Sequence, residues 1–272
     1  MKKAIIYTLA FVAIQVLMPV LIQQSLRLFT GSAPVLDAKL MIICAAASSV
    51  AIIALFLRLR WVEVSRNYVR SRPWSVLFWC AIAAIGVVIP STCLQEQLPE
   101  LPNLAEEQFD MILRDRWGYF AVGLLAPVCE ELVFRGAVLR ALLSWTPRHW
   151  VAIAVSALFF ALVHANPAQM PHAFAVGLLL GWLYYRTDSV VPGVVYHWVN
   201  NSVAYVIYNL YPDPNIRLID ILGSQRSVAA AVVFSLFILL PALYQLNLWL
   251  RKADKVSGLI CKCNDEKGAQ SS

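Results

Sequence analysis

Eight apolar runs, set apart by charged or proline-bearing stretches, constrain this chain more than any other feature of its sequence. They fall at about 4–28, 40–57, 74–94, 117–143, 150–165, 173–185, 190–210 and 228–250. Crossing hydrocarbon takes about 20 apolar residues as a helix. Backbone polar groups find partners there only within helices or closed barrels. These runs have helix lengths, so the reading is an all-α, polytopic membrane helix bundle of about eight transmembrane helices. The sixth run is short for a span, and its helix is placed to begin near Met170. With 60% of 272 residues hydrophobic and 14% charged, an ordinary soluble domain is excluded. No Gly/Ser linker or polar block divides the chain. Residues 1–252 therefore read as one integral bundle, followed by a polar cytoplasmic tail over 253–272.

Charge placement sets the orientation. Lys2, Lys3, the basic cluster of 58–72, Arg140, Arg148, Arg186 and the basic tail put about fifteen cations on one side. About six lie opposite, at Arg27, Lys39, Arg114, Arg116, Arg217 and Arg226. Both termini are expected to be cytoplasmic, in a multi-pass protein of the cell membrane. The net charge of +6 is explained by topology and anionic lipid, so the partners expected are the lipid bilayer and no nucleic acid. Arg58, Arg60, Trp61, Arg66, Tyr68, Arg70 and Arg72 read as a topology signal of this kind. The first run is long and has no small-residue cleavage site, which makes it a retained span rather than a signal peptide. Six cysteines show no disulfide framework, and Cys261 and Cys263 read as part of a solvated tail. The acidic, proline-punctuated stretch 95–115 carries Leu104, Gln108, Met111 and Ile112, the pattern of a short amphipathic surface helix.

Against this background the fourth run is anomalous. It carries Glu130, Glu131 and Arg135 near its middle, whereas the other acidic residues lie outside the long apolar runs. Each ionisable group in hydrocarbon costs at least about 2.5–3.5 kcal/mol, and groups kept there are usually functional. Adjacent helical residues point about 100° apart, so the two carboxylates face different partners. Glu131 and Arg135 stand i, i+4 and are expected to pair. Glu130 is then the carboxylate free for chemistry. Two more polar spacings accompany it: Phe160 with His164, and His197 with Asn201, each i, i+4. Singly, each is more simply an interhelical hydrogen bond worth about 0.6 kcal/mol. On three separate spans, they point to one shared site. His149, at a helix boundary, and His172, after Pro171 in an expected loop, read as interface residues. Gly177-x-x-x-Gly181 is a small-residue face suited to close helix contact.

Glu130-Glu131-x-x-x-Arg135, Phe160-x-x-x-His164 and His197-x-x-x-Asn201, in this order, resemble the signature of the CPBP family, the CAAX-protease and bacteriocin-processing group. The resemblance covers about 117–211. It implies an eight-span intramembrane endopeptidase related to type II CAAX prenyl proteases, acting on a peptide or membrane-protein substrate. It further implies that Glu130 is the catalytic carboxylate, working with His164 to activate water. His197 and Asn201 would line the same cavity, with Glu131 and Arg135 supporting it and Phe160 packing beside His164. Two mechanisms stay open. One is a metal-free glutamate base with oxyanion contacts from Asn201 and a histidine. The other is Zn²⁺ held by Glu130, His164 and His197, a donor set known in catalytic zinc sites. The missing His-Glu-x-x-His motif favours a site without obligatory zinc. A proton-coupled transporter is the competing function, disfavoured because the in-membrane charge sits in a single span. A non-catalytic immunity or scaffold protein ranks last, since every motif residue is present.

Overall fold

Helices occupy all eight apolar runs in the computed structural model, which describes residues 1–62, 74–213 and 216–250. The first three are α1 (Lys2–Thr30), α2 (Ala38–Arg58) and α3 (Trp74–Gln95), followed by the short α4 (Glu106–Arg114). Four abutting segments come next: Tyr119–Leu125, Ala126–Glu131, Leu132–Leu139 and Arg140–Leu143. Their junction residues Ala126, Leu132 and Arg140 all keep right-handed helical backbone, so the four form one rod, α5. The rest are α6 (His149–Leu162), α7 (Met170–Thr187), α8 (Val191–Leu210), α9 (Leu218–Leu222) and α10 (Gln225–Trp249). No strand occurs among the described residues. The chain is an all-α membrane bundle. Helices α1, α2, α3 and α10 are each long and apolar enough to cross a membrane, and α6 is a shorter apolar helix.

Local chemistry sets the helix ends. The Asp37 carboxylate accepts from the Leu40 N–H at 2.8 Å, and the Ser224 hydroxyl from the Ser227 N–H at 3.1 Å, capping α2 and α10. Pro171 and Pro192 sit in the first turns of α7 and α8, where a missing N–H costs nothing. Gly31, in the left-handed region, closes α1.

Two apolar clusters make up the interior. The first joins α1, α2, α5 and α6 through Phe11, Ile52, Phe56, Phe134 and Ile153. The second joins α3, α8 and α10 through Cys80, Ala84, Tyr196, Ala242 and Leu246. Helix α7 belongs to both, giving Ala173 and Tyr184 to the first and Val176, Leu180 and Leu183 to the second. Outward faces of α1 and α10 display Leu9, Val16, Phe234 and Phe237, a surface suited to acyl chains rather than water. The Gly177-x-x-x-Gly181 face does lie against α6: a Cβ on Gly177 would stand 3.0 Å from Ala157 Cβ, and one on Gly181 2.9 Å from Ile153 Cγ2.

The expected surface helix is present but starts at Glu106, beyond Leu104. It docks on the end of α8: the Tyr208 hydroxyl donates to Asp110, and Asn209 Nδ2 donates to the Leu113 carbonyl at 3.2 Å. The Tyr208 hydroxyl, and then the Arg114 guanidinium, hold the Asp110 carboxyl below the usual carboxylate range. Cys44, Cys80, Cys93 and Cys129 are free thiols. Trp61 packs with Tyr7 and Phe56 at ring-centroid distances of 4.8 and 5.0 Å. Arg66, Tyr68, Arg70, Arg72, Cys261, Cys263 and the 253–272 tail lie outside the described residues.

The α6–α7 contact gives the first test. Gly177→Val should destabilise the bundle by about 1–3 kcal/mol, because the added atoms meet the Ala157 backbone as well as its side chain. Thermal unfolding in detergent reads this, and an unchanged melting temperature would show that α6 and α7 do not pack this closely.

Candidate active site

Pro127 makes the middle of α5 irregular. Segment Tyr119–Leu125 is wound as a π-helix, in which each carbonyl accepts from the N–H five residues on. For Val122 that partner is Pro127, which has no N–H. The orphaned carbonyl is satisfied from outside the helix, by Asn201 Nδ2 at 3.1 Å. In the second π segment, Leu132–Leu139, the Phe134 carbonyl accepts from the Ser156 hydroxyl at 3.1 Å. Side chains of α8 and α6 thus stitch the two irregular stretches. The short α-helical segment between them, Ala126–Glu131, carries both glutamates.

Helix α8 runs antiparallel to α5. Trp198 Nε1 donates to the Tyr119 hydroxyl at 2.9 Å near one end, and His197 reaches Glu131 nearer the middle. Glu131 is wholly buried. Its Oε1 accepts from Arg135 Nη1 at 2.7 Å and from His197 Nδ1 at 3.1 Å. Its Oε2 has no hydrogen-bond partner and lies where a Cβ on Gly193 would stand, 2.6 Å away. Only a glycine on α8 lets the two helices come this close around the carboxylate. Arg135 is 1% exposed. Its Nη2 donates to the Gly177 carbonyl at 3.3 Å, and its Cζ lies 4.4 Å from the Phe160 ring centroid, a cation–π contact.

Phe160 is a hub. Its ring meets Phe134, His164 and His197 edge-on at 5.3, 4.9 and 5.9 Å. Its carbonyl lies 2.7 Å from His164 Nδ1. Helix α6 ends at Leu162, so His164 sits on the turn just beyond it rather than within the span. Carbonyl and carboxylate oxygens only accept, so the Nδ1 atoms of both His164 and His197 carry the hydrogen. The Nε2 of each is left as the open position. His197 Nε2 lies 3.8 Å from Glu130 Oε2, too long for a hydrogen bond and close enough for a proton or a shared water to matter. The Glu130 side chain is 19% exposed, against none for Glu131.

The expected site residues therefore form a linked chain: Glu130, His197, Glu131, Arg135, Phe160 and His164. Asn201, one turn from His197 along α8, gives one amide hydrogen to the Val122 carbonyl. His149 stacks on Tyr185 at 4.3 Å, as an interface residue would. His172 differs from its expected loop placement. Pro171 starts α7 instead of ending a loop, so His172 lies in the first helical turn, within electrostatic reach of both His164 and His197. A proline one residue before the histidine is the signal that would have placed it. Among the described residues, no group of three His, Cys, Asp or Glu side chains is arranged to hold a metal ion. Glu130, His164 and His197, the donors named for zinc, are not gathered as such a set.

Residues 113–203 match the family described as type II CAAX prenyl endopeptidase Rce1-like, which bears out the resemblance carried by the three motifs. The matched segment runs from the end of α4 into α8 and includes every residue of the linked chain. No curated protein and no solved structure matches the chain. Together the match and the apolar helices indicate a membrane protein of the protease kind.

Breaking the buried pair separates its cost from its value. Arg135→Met, which strands the Glu131 charge, should cost about 3–5 kcal/mol, and adding Glu131→Leu should recover most of that loss. Unfolding in detergent measures both. A single variant as stable as the parent would mean that Glu131 is not charged in the bundle.

Proposed function

We propose that this chain is an intramembrane endopeptidase in which Glu130 is the base that activates water. The observation that carries this reading is the placement of His197 between two carboxylates inside an apolar bundle. Glu131, neutralised by Arg135, holds His197 by its Nδ1 and turns the Nε2 edge toward Glu130. That leaves one carboxylate structural and one, partly exposed, for chemistry.

The steps follow from the groups present. Glu130 takes a proton from water as the oxygen attacks the scissile carbonyl, and the proton then goes to the departing amine. Base catalysis of this kind contributes about 10²–10⁴-fold. A neutral imidazole protonated at Nδ1 accepts at Nε2, so His164 and His197 orient the water and relay its proton rather than donate to the oxyanion. The second amide hydrogen of Asn201 is the candidate oxyanion donor, a role worth about 10²–10³-fold. Phe160 and the surrounding apolar residues keep bulk water away and strengthen these contacts.

The eight helices at the expected positions support a multi-pass reading with eight spans and both termini on the cytoplasmic side of the cell membrane. Residues 1–252 form the bundle, and 117–211 its protease core. The substrate class is a peptide or membrane protein. The name of the matched family makes a farnesylated peptide ending in a four-residue CAAX sequence the first probe to use.

Glu130→Gln keeps the size and hydrogen bonding of the side chain and removes its basicity. Cleavage of the probe should fall by at least about 10²-fold with the melting temperature unchanged. Comparing membrane proteomes of cells making the wild type and Glu130→Gln should show peptides cut only by the former. Retained proteolysis in the variant would falsify the assignment of the base.

A further inference from the structure

The turn between α6 and α7, which carries His164, is held by a distant stretch of chain. Residues 95–104, linking α3 to α4, lie along it and make four hydrogen bonds to its residues. Gln95 Nε2 donates to the Ala168 carbonyl at 2.9 Å, and the Ala168 N–H donates to the Pro102 carbonyl at 3.3 Å. The Leu104 N–H donates to Asn166 Oδ1 at 3.1 Å, and Asn166 Nδ2 donates to Asn103 Oδ1 at 2.8 Å. Asn103 Nδ2 in turn faces Glu106 Oε2 at 3.4 Å.

Asn166 is the centre of this set. It is 1% exposed, and both ends of its side-chain amide are bonded to the 95–104 stretch. Its backbone carbonyl accepts from the Gln169 and Met170 N–H groups at 2.9 and 3.2 Å, closing the turn that leads into α7. Between it and His164 lies Ala165, with φ of +49°, a left-handed backbone that a non-glycine residue keeps only where its surroundings enforce it. A strained residue flanked by an imidazole and a buried amide bonded at both its oxygen and its nitrogen marks a turn whose shape is imposed.

We propose that Asn166 and Asn103 are positioning residues for His164: the 95–104 stretch latches the α6–α7 turn and fixes where that imidazole stands. The proposal rests on the assignment of His164 to the catalytic site above. Asn166 touches no reacting atom. It acts by holding Ala165 left-handed, which keeps His164 Nδ1 on the Phe160 carbonyl and its Nε2 open.

The test uses the full chain in proteoliposomes with the farnesylated CAAX peptide as probe. Asn166→Ala should lower kcat by about ten- to hundredfold with little change in KM, since geometry is lost and substrate contacts are not. Asn103→Ala should cost less alone and nothing further on top of Asn166→Ala. Asn166→Asp keeps the acceptor for the Leu104 N–H, and the Asn103 amide can rotate to donate to it, so most of the activity should return. A second readout needs no substrate: diethylpyrocarbonate modification of His164, followed by mass spectrometry, should quicken several-fold in Asn166→Ala and return to the wild-type rate in Asn166→Asp. Asn166→Ala with wild-type kcat, alongside an inactive His164→Ala, overturns the latch and leaves the protease reading standing. An active His164→Ala refutes the assignment of His164 to the catalytic site instead, and a wild type that leaves the probe uncut refutes the protease reading on that substrate. The modification rate then judges the latch, and a rate unchanged in Asn166→Ala overturns it. Should Asn166→Ala fail to fold, Asn103→Ala carries the same two readouts.

Discussion

A carboxylate and a guanidinium, both shut away from solvent, hold the functional part of this bundle together. Glu131 and Arg135 pair at 2.7 Å, and neither side chain is more than 1% exposed. A buried pair of this kind often adds nothing to stability over well-packed apolar residues, because both ions have left water. Its value here is geometric. Glu131 Oε1 serves the arginine and His197 Nδ1 together, Arg135 reaches α7 through the Gly177 carbonyl, and the guanidinium lies on the Phe160 ring of α6. Four helices are referenced to one ion pair. The rest of the site inherits its positions from that fact.

The division of labour between adjacent glutamates follows. Their side chains diverge on the helix, so one turns into the seam between α5 and α8 and the other stays at its edge. Gly193 makes the inner position possible by leaving room for Glu131 Oε2. The outer position keeps Glu130 partly solvated, as the role of base proposed for it requires. Irregular backbone is tolerated at this depth because neighbouring side chains take over its polar groups, as Asn201 does for Val122 and Ser156 for Phe134.

Much of this was legible in the sequence because it is local. The apolar runs predicted helix positions within a few residues, and the i, i+4 rule paired Glu131 with Arg135 and left Glu130 apart. What the spacing rules missed is tertiary. Nothing near His197 announces that Glu131, on another helix, will orient its ring. Asn201 looked like a partner for His197, yet its amide goes to a carbonyl that Pro127 leaves without a donor. His164 was expected at the end of a helix and sits on a turn beyond it, held by Asn166 and the 95–104 stretch. Periodicity reports which face of a helix is apolar and is silent on which polar group will meet it.

Which ring nitrogen of His197 carries the proton decides whether Glu131 holds this imidazole. Nitrogen-15 spectra of histidine-labelled protein at neutral pH, assigned with a His197→Asn variant, report this directly. A protonated Nδ1 and a bare Nε2 are predicted for His197, with that preference weakened in Glu131→Gln. A spectrum showing hydrogen on Nε2 and none on Nδ1 would contradict the account, because the imidazole would then be turned away from the carboxylate said to hold it.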